Sequence, residues 1–403
     1  MDKALIIFLL TYAAIAVGQP PVFRIDRAGA ALIGASLMVV TNVLDIDAAY
    51  RAIDYRTIVI LFCLMIVVAN LRLSGFFPLA SVFIMRQITR PSMLLYAIVF
   101  LSGVLSALFI NDTVCIAFTP LVVSVTLRLG LNPVPFLLAL CMAANIGSTA
   151  TITGNPQNVM IGSFSGIGYA RFTARMLPIA VGGLVLCGVM LRFVYRKDFA
   201  EKRIEMAPVR YRVHRPLLIK STLVSCLMLL LFFIGVPMTT VAIGAASYLL
   251  ITRRVKPEKV YALVDWRLLL LFVGLFIVIE GVERSGLVVA ILGAAGRRTA
   301  GHPLFLVTVS TVLSNLVSNV PAVLLLKPVI ASMPDAETAW LLLSMSSTLA
   351  GNLTILGSIA NIIVVEGAHP RVKLGFVEYL KVGIPLTLIT VALGALWLTS
   401  VPY

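Results

Sequence analysis

Apolar residues run along this chain in blocks of membrane length, and the polar positions that interrupt them come in two matching sets. Blocks near 4–18, 28–44 and 57–73 precede a long stretch, 92–128, that is broken at Asn111-Asp112. A discontinuous block over 134–168 and another at 174–195 complete the first half. The order then repeats as about 217–234, 237–252 and 264–283, a stretch at 303–333 broken at Asn319, a discontinuous block at 338–366, and 377–400. About 20 apolar residues let a helix cross the hydrocarbon, so these blocks predict transmembrane helices. Backbone that leaves the helix at bilayer depth must line a cavity or be covered by protein. Breaks at matching places in two halves are the pattern of a secondary carrier's binding site.

The repetition is legible letter by letter. Asp54-Tyr-Arg56 begins the third block and Ser74-Gly75 follows it; Asp265-Trp-Arg267 and Ser285-Gly286 do the same at an offset of 211. Ser102, Ser106 and Asn111 match Ser310, Ser314 and Asn319 at 208, and Gly154 and Asn158 match Gly357 and Asn361 at 203. If 92–128 and 303–333 are re-entrant hairpins, each half crosses the membrane five times. An odd number of crossings inverts the second half. The expected fold is therefore an all-α polytopic membrane protein, an inverted repeat of two five-crossing halves, each with a re-entrant hairpin and a discontinuous helix. The first repeat takes 1–195 (hairpin about 92–128, broken helix about 134–168) and a basic linker takes 196–216. The second, inverted repeat takes 217–403 (hairpin about 303–333, broken helix about 338–366).

Charge supplies the orientation. The stretch Arg192 to Lys220 holds nine Lys/Arg against three acidic residues, and cytoplasmic loops are the home of such clusters. Placing it inside puts 23 of the 32 Lys/Arg in the cytoplasm and both termini in the periplasm or outside. The implied location is a bacterial cytoplasmic membrane, crossed many times. The chain is 60% hydrophobic and only 12% charged, against roughly a quarter charged in soluble domains. Its net charge of +15 lies in loops rather than on a folded polar domain, which argues against nucleic acid as a partner. The five cysteines sit in apolar runs without metal or redox spacing, and no cofactor is implied.

Candidate chemistry concentrates in the four breaks. A helix stopped in mid-membrane leaves N–H groups at the next helix's start and C=O groups at the last one's end, which attract anions or hydroxyl oxygens and cations respectively. Gly147, Gly154, Gly351 and Gly357 permit non-helical backbone and close approach. Pro156 and Pro321 suit the first turn of a restarted helix. Amides and hydroxyls of Asn111, Thr113, Asn145, Ser148, Thr149, Asn155, Asn158, Ser318, Asn319, Asn352, Thr354, Ser358 and Asn361 supply donors and acceptors for a solute. Asp112 is the one acidic side chain placed deep in the membrane, where a carboxyl must be protonated, paired or bound to a cation. It is the candidate coupling-ion residue, for H⁺ or Na⁺. Lys327 is a potential partner or a side chain snorkelling to the membrane edge. No Arg or Lys lies inside the motifs, so a neutral polyhydroxy solute fits them with less strain than a multivalent anion.

These residues resemble those of the ion transporter superfamily, which includes ArsB-type arsenite efflux pumps, citrate-transporter-like permeases and divalent anion–sodium symporters. Ala107-Leu-Phe-Ile-Asn-Asp112 with Thr119-Pro120 downstream, and Ser74-Gly-Phe-Phe77, are similar to runs of the ArsB type. The tips Asn111-Asp112-Thr113 and Ser318-Asn319-Val320 depart from the Ser-Asn-Thr of sodium–dicarboxylate members, while Gly154-Asn-Pro-Gln-Asn158 is similar to the Pro-Pro-Asn turns of anion permeases. The resemblance implies a scaffold part and a transport part moving as an elevator. It implies that Asn111, Asn145, Asn319 and Asn352 contact the solute and that Asp112 carries the coupling ion. The solute implied is arsenite or antimonite as the trihydroxide, exported in exchange for protons. The alternative is a proton- or sodium-coupled permease for inorganic or di/tricarboxylate anions. A homodimer and a soluble ATPase partner occur among such relatives. A channel is disfavoured by two hairpins in inverted halves, and no catalytic dyad or metal motif points to an enzyme.

Overall fold

The structure, a computed structural model, describes residues 3–17, 25–85, 88–199, 213–251, 255–286, 302–330 and 333–401. Among these residues it contains nineteen α-helices and no strand. The first half contributes α1 (Lys3–Val17), α2 (Arg27–Val40), α3 (Ile46–Ala52), α4 (Tyr55–Ser74), α5 (Phe76–Met85), α6 (Pro91–Leu108), α7 (Asn111–Arg128), α8 (Val134–Ser148), α9 (Pro156–Ser165) and α10 (Tyr169–Val194). The second contributes α11 (Arg215–Phe233), α12 (Met238–Leu250), α13 (Pro257–Tyr261), α14 (Trp266–Arg284), α15 (Pro303–Val317), α16 (Asn319–Ile330), α17 (Ala336–Ala350), α18 (Ile359–Ala368) and α19 (Phe376–Ser400). By length and composition α4, α6, α10, α11 and α19 can each cross a membrane alone. The basic linker expected at 196–216 falls largely on 200–212, outside the described residues, as do Arg253 and Arg254.

The matched letters mark matched helix ends. Asp54 Oδ1 accepts the Arg56 N–H at 3.2 Å and Asp265 Oδ1 accepts the Leu268 N–H at 3.0 Å, so each Asp caps the helix it precedes. Gly75 and Gly286 stand past the ends of α4 and α14 with φ of 85° and 73°, a left-handed conformation that terminates a helix. The short helices α3 and α13 lie between the predicted membrane blocks, and they too are related by the offset of 211. Asp45 explains the first of them: its Oδ1 takes the Ala48 N–H at 2.7 Å and starts seven residues of helix.

Both broken stretches are hairpins, and the packing shows it. Gly103 of α6 touches Gly147 of α8, and Thr151 just beyond α8 donates to the carbonyl of Ala107. Thus α6 and α8 run side by side and end at the same depth. The loop 129–133 turns α7 back against α8, and Asn111 at the start of α7 reaches Asn145 near the end of α8. So α6 and α7 are antiparallel, with their tip at the break. The second half repeats this: Ser310 of α15 bonds Ser346 of α17, Asn315 donates to Ala350 O at 2.9 Å, and α16 returns along α17.

Loop contacts sort the helix ends onto two faces. His214 N–H donates to Ser74 O, Tyr195 bonds Glu378, and Arg267 pairs with Asp26 on one face. Arg175 donates to Leu398 O and Val401 O, and Arg171 pairs with Glu337, on the other. The grouping is that of ten crossings with an inverted second half. Side chains such as Val185 and Val189 of α10 and Leu223, Leu227 and Leu230 of α11 are exposed, as lipid-facing positions should be. The innermost elements are α8 and α17: every residue over Pro135–Ser148 and Ala339–Ala350 is buried.

The tip of the second hairpin is strained. Ser318 has φ 77° and ψ 160°, a region almost confined to glycine, at about 1–3 kcal/mol for other residues. Ser318→Gly is therefore expected to raise the thermal unfolding midpoint in detergent, by about 1 kcal/mol of stability. An unchanged or lowered midpoint would show that the surroundings do not hold this conformation against strain.

Candidate functional site

Each innermost helix stops halfway. After Ser148 the chain passes through a short 3₁₀ turn, Ile152–Gly154, and restarts at Pro156, which needs no N–H there. After Ala350 it passes through Ile355–Gly357 and restarts at Ile359. The side chain of Asn155 caps one restart by accepting the Asn158 N–H at 2.9 Å, and Ser358 caps the other by accepting the Ala360 N–H at 3.2 Å. Gly147 and Gly154 do not serve by adopting unusual φ values. Gly147 is helical, and a Cβ there would lie 2.1 Å from Gly103 O; one at Gly154 would lie 2.2 Å from Ser148 O. Their role is close approach of backbone to backbone.

The two unwound segments cross, and their amides bond one another. Asn145 is the hub. Its Oδ1 accepts from Asn111 Nδ2 (3.1 Å) and Ser358 Oγ (3.0 Å), and its Nδ2 donates to Asn352 Oδ1 (2.9 Å) and Asn361 Oδ1 (3.0 Å). A second cluster is the first turned over. Thr348, the position equivalent to Asn145 at the offset of 203, accepts from Asn155 Nδ2 (3.2 Å) and donates to Asn158 Oδ1 (3.4 Å). Asn158 Nδ2 bridges Ser148 O and Thr151 O, and Asn361 Nδ2 bridges Gly351 O and Thr354 O, each pair shifted by 203. The bond pattern obeys the same internal symmetry as the sequence.

Hairpin tips complete both clusters. Asn111 closes the first, and its Oδ1 is buried without a partner. Asn319, with its amide turned to satisfy its neighbours, donates to Ser347 O (3.1 Å) and Gly357 O (3.3 Å) and accepts from Gln157 Nε2 (3.0 Å). Thr354 donates to Asn315 Oδ1 at 3.1 Å, Ser148 and Thr149 return to Asn145 O, and Ser318 forms the second tip. Gln157, Ser344, Thr348 and Asn315 belong to the clusters and escaped the sequence reading. The polar run Ser344, Ser346, Ser347, Thr348 in an otherwise apolar helix was the available signal. Ser346 and Ser347 hydroxyls donate to carbonyls of their own helix, as mid-helix serines commonly do, and Ser346 also meets Ser310, whereas Ser344 reaches across to Asn158 Oδ1 at 2.7 Å.

Asp112 and Thr113 lie elsewhere. They line a separate cavity of about 70 Å³ between the first hairpin tip and α4, together with Arg72 and Asp265. Lys327 is far from both: its ammonium sits 4.8 Å from the centre of the Phe164 ring, at the face where Glu283 lies. Two larger crevices flank the breaks. One, of about 590 Å³, is lined by Arg56, Ile60 and Pro237-Met-Thr239; the other, of about 450 Å³, by Arg267, Leu271 and Asp26-Arg-Ala28. These sets are equivalent at the offset of 211. They mark the starts of α4 and α14, which lie on opposite faces.

An all-helical inverted repeat with paired hairpins, paired broken helices and a crevice on each face defines a multi-pass secondary transporter. The comparisons agree. The chain belongs to the citrate transporter family, whose sequence profile matches residues 12–349. It is 31% identical to the silicon efflux transporter LSI3 of Oryza sativa subsp. japonica, over 93% of this chain and 92% of that one. A 46 kDa membrane protein of Mycobacterium leprae is 30% identical (98% and 97% covered). The putative transporter arsB of Dictyostelium discoideum is 26% identical (92% and 86%). The crystal structure of the Alcanivorax borkumensis YdaH transporter superposes with a TM-score of 0.59 at 13% identity, over 99% of this chain and 98% of that one, and shares its fold.

Proposed function

We propose that the protein exports a small hydroxylated metalloid, arsenite or antimonite as the uncharged trihydroxide, in exchange for protons carried by Asp112. The observation that carries this reading is the make-up of the two clusters: amides, hydroxyls and backbone carbonyls, with no Lys or Arg among them. Such groups match a ring of hydroxyls donor for acceptor, while a tricarboxylate would be left without compensating charge. The relatives named for silicon efflux and arsB lean the same way, since both elements form uncharged hydroxides in water. In the bound state the solute's hydroxyls replace part of the Asn–Asn bonding, so the protein exchanges one set of hydrogen bonds for another. Cys115 and Cys141 are buried nearby on α7 and α8, but thiolate ligation would hold trivalent arsenic too firmly for release.

Hairpins α6–α7 and α15–α16 with the broken helices α8–α9 and α17–α18 would form the moving part. Helices α1–α4 and α11–α14 would form the scaffold, and the two crevices would be alternating openings between them. Everted vesicles supply the test. Arsenite accumulation that collapses when the proton gradient is dissipated supports export. Its absence, alongside uptake of citrate, succinate or sulfate, would assign the protein to anion uptake instead.

A further inference from the structure

Asp112 takes no part in the hydrogen bonds of the amide clusters. It opens into the cavity of about 70 Å³ walled by Met65, Val68 and Ala69 of α4 and by Leu268 and Ile363, with Arg72 and Asp265 as the other charged groups. Liquid water occupies about 30 Å³ per molecule, so this volume accommodates roughly two. Asp265 and Leu268 also line the neighbouring crevice of about 450 Å³, with Asp26, Arg27, Arg267 and Glu366. The cavity and the crevice therefore share a wall, and Asp265 is the titratable group in it.

We propose that Asp265 is the proton relay of this transporter in the state described. It would carry protons between Asp112 and the face bearing the starts of α2 and α14, by a route separate from the solute's. The proposal rests on the reading of Asp112 as the coupling residue. The O–H of protonated Asp112 breaks, and its proton passes through cavity water to Asp265 Oδ2. That oxygen then yields the proton to water in the crevice. Asp265 Oδ1 is committed to the Leu268 N–H, which leaves Oδ2 for the relay. The product is an Asp112 carboxylate in a cavity that Arg72 also lines. Among the described residues lining it, α7 adds Thr113 and Ile116 and α18 adds Ile363, none of them charged. The arrangement places proton release on the face of the basic loop, as export driven by inward proton flow requires.

The internal repeat provides the control. Asp54 caps α4 as Asp265 caps α14, yet it does not line the Asp112 cavity. Asn caps a helix about as well as Asp, so Asp→Asn at either position removes a carboxylate and keeps the cap. In proteoliposomes with an imposed proton gradient, Asp265→Asn should slow proton-driven transport by tenfold or more with unchanged arsenite affinity. Asp54→Asn should stay within twofold of the parent protein. An Asp265→Asn protein as fast as Asp54→Asn, beside an inactive Asp112→Asn protein, overturns the relay alone. Proton-driven transport by Asp112→Asn overturns the coupling assignment and the relay together. Counterflow of arsenite against arsenite needs no proton and reports the folding of the Asp265 variant, so a loss of counterflow equal to its loss of proton-driven transport also overturns the relay.

Discussion

Asn145→Ala abolishes concentrative transport and weakens the fold, the largest combined effect expected of any single substitution here. The side chain makes four hydrogen bonds that tie the first hairpin, the first broken helix and the second broken helix together. Interhelical bonds in membranes average about 0.6 kcal/mol, and stranded buried groups add to the loss. The expected destabilisation is about 2–4 kcal/mol, seen as a lower unfolding midpoint in detergent. If the solute uses two of the vacated positions, its affinity falls by about a hundredfold, at about 1.4 kcal/mol per tenfold. Thr126→Val supplies the contrast: that hydroxyl only returns to Val122 O and Val123 O on its own helix. Transport by this variant should match the parent. Equal affinity in Asn145→Ala and the parent protein would remove the amide hub from the solute site.

Asp112→Asn ends pH-driven transport but leaves solute binding within about twofold. The separation follows from the geometry. Asp112 and the hub residue Asn145 are reached from the same hairpin tip, yet Asp112 faces α4 while Asn111 faces Asn145. Asn keeps the shape and the helix-starting position of Asp and removes only the titrating group. Binding measured by equilibrium dialysis should therefore survive, while counterflow of solute against solute continues and coupling to the proton gradient is lost. Loss of binding in step with loss of coupling would mean that Asp112 sits in the solute site after all.

The sequence made the fold legible because the bilayer forbids most alternatives. Unbroken apolar blocks can only be helices there, and the Asp-x-Arg…Ser-Gly frames of α4 and α14 proved to be repeated caps and stops. The four breaks were legible for the same reason, and they do meet. Partners were harder to see. Thr348 looked like any mid-helix threonine, and only the crossing of the unwound segments turns it toward Asn155 and Asn158. The split between Asn111 and Asp112 was invisible because adjacent residues at a helix start point about 100° apart, and no periodicity reports which neighbour lies where. The short helices α3 and α13 were hidden too, being shorter than any periodic pattern can reveal.

The most direct measurement is an anomalous difference map from crystals grown with arsenite, since arsenic marks its own position. The account predicts one strong peak where the four breaks meet, within hydrogen-bonding reach of Asn111, Asn145, Asn319 or Asn352. A peak against the Cys115 and Cys141 thiols, or confined to one of the two crevices, would contradict it.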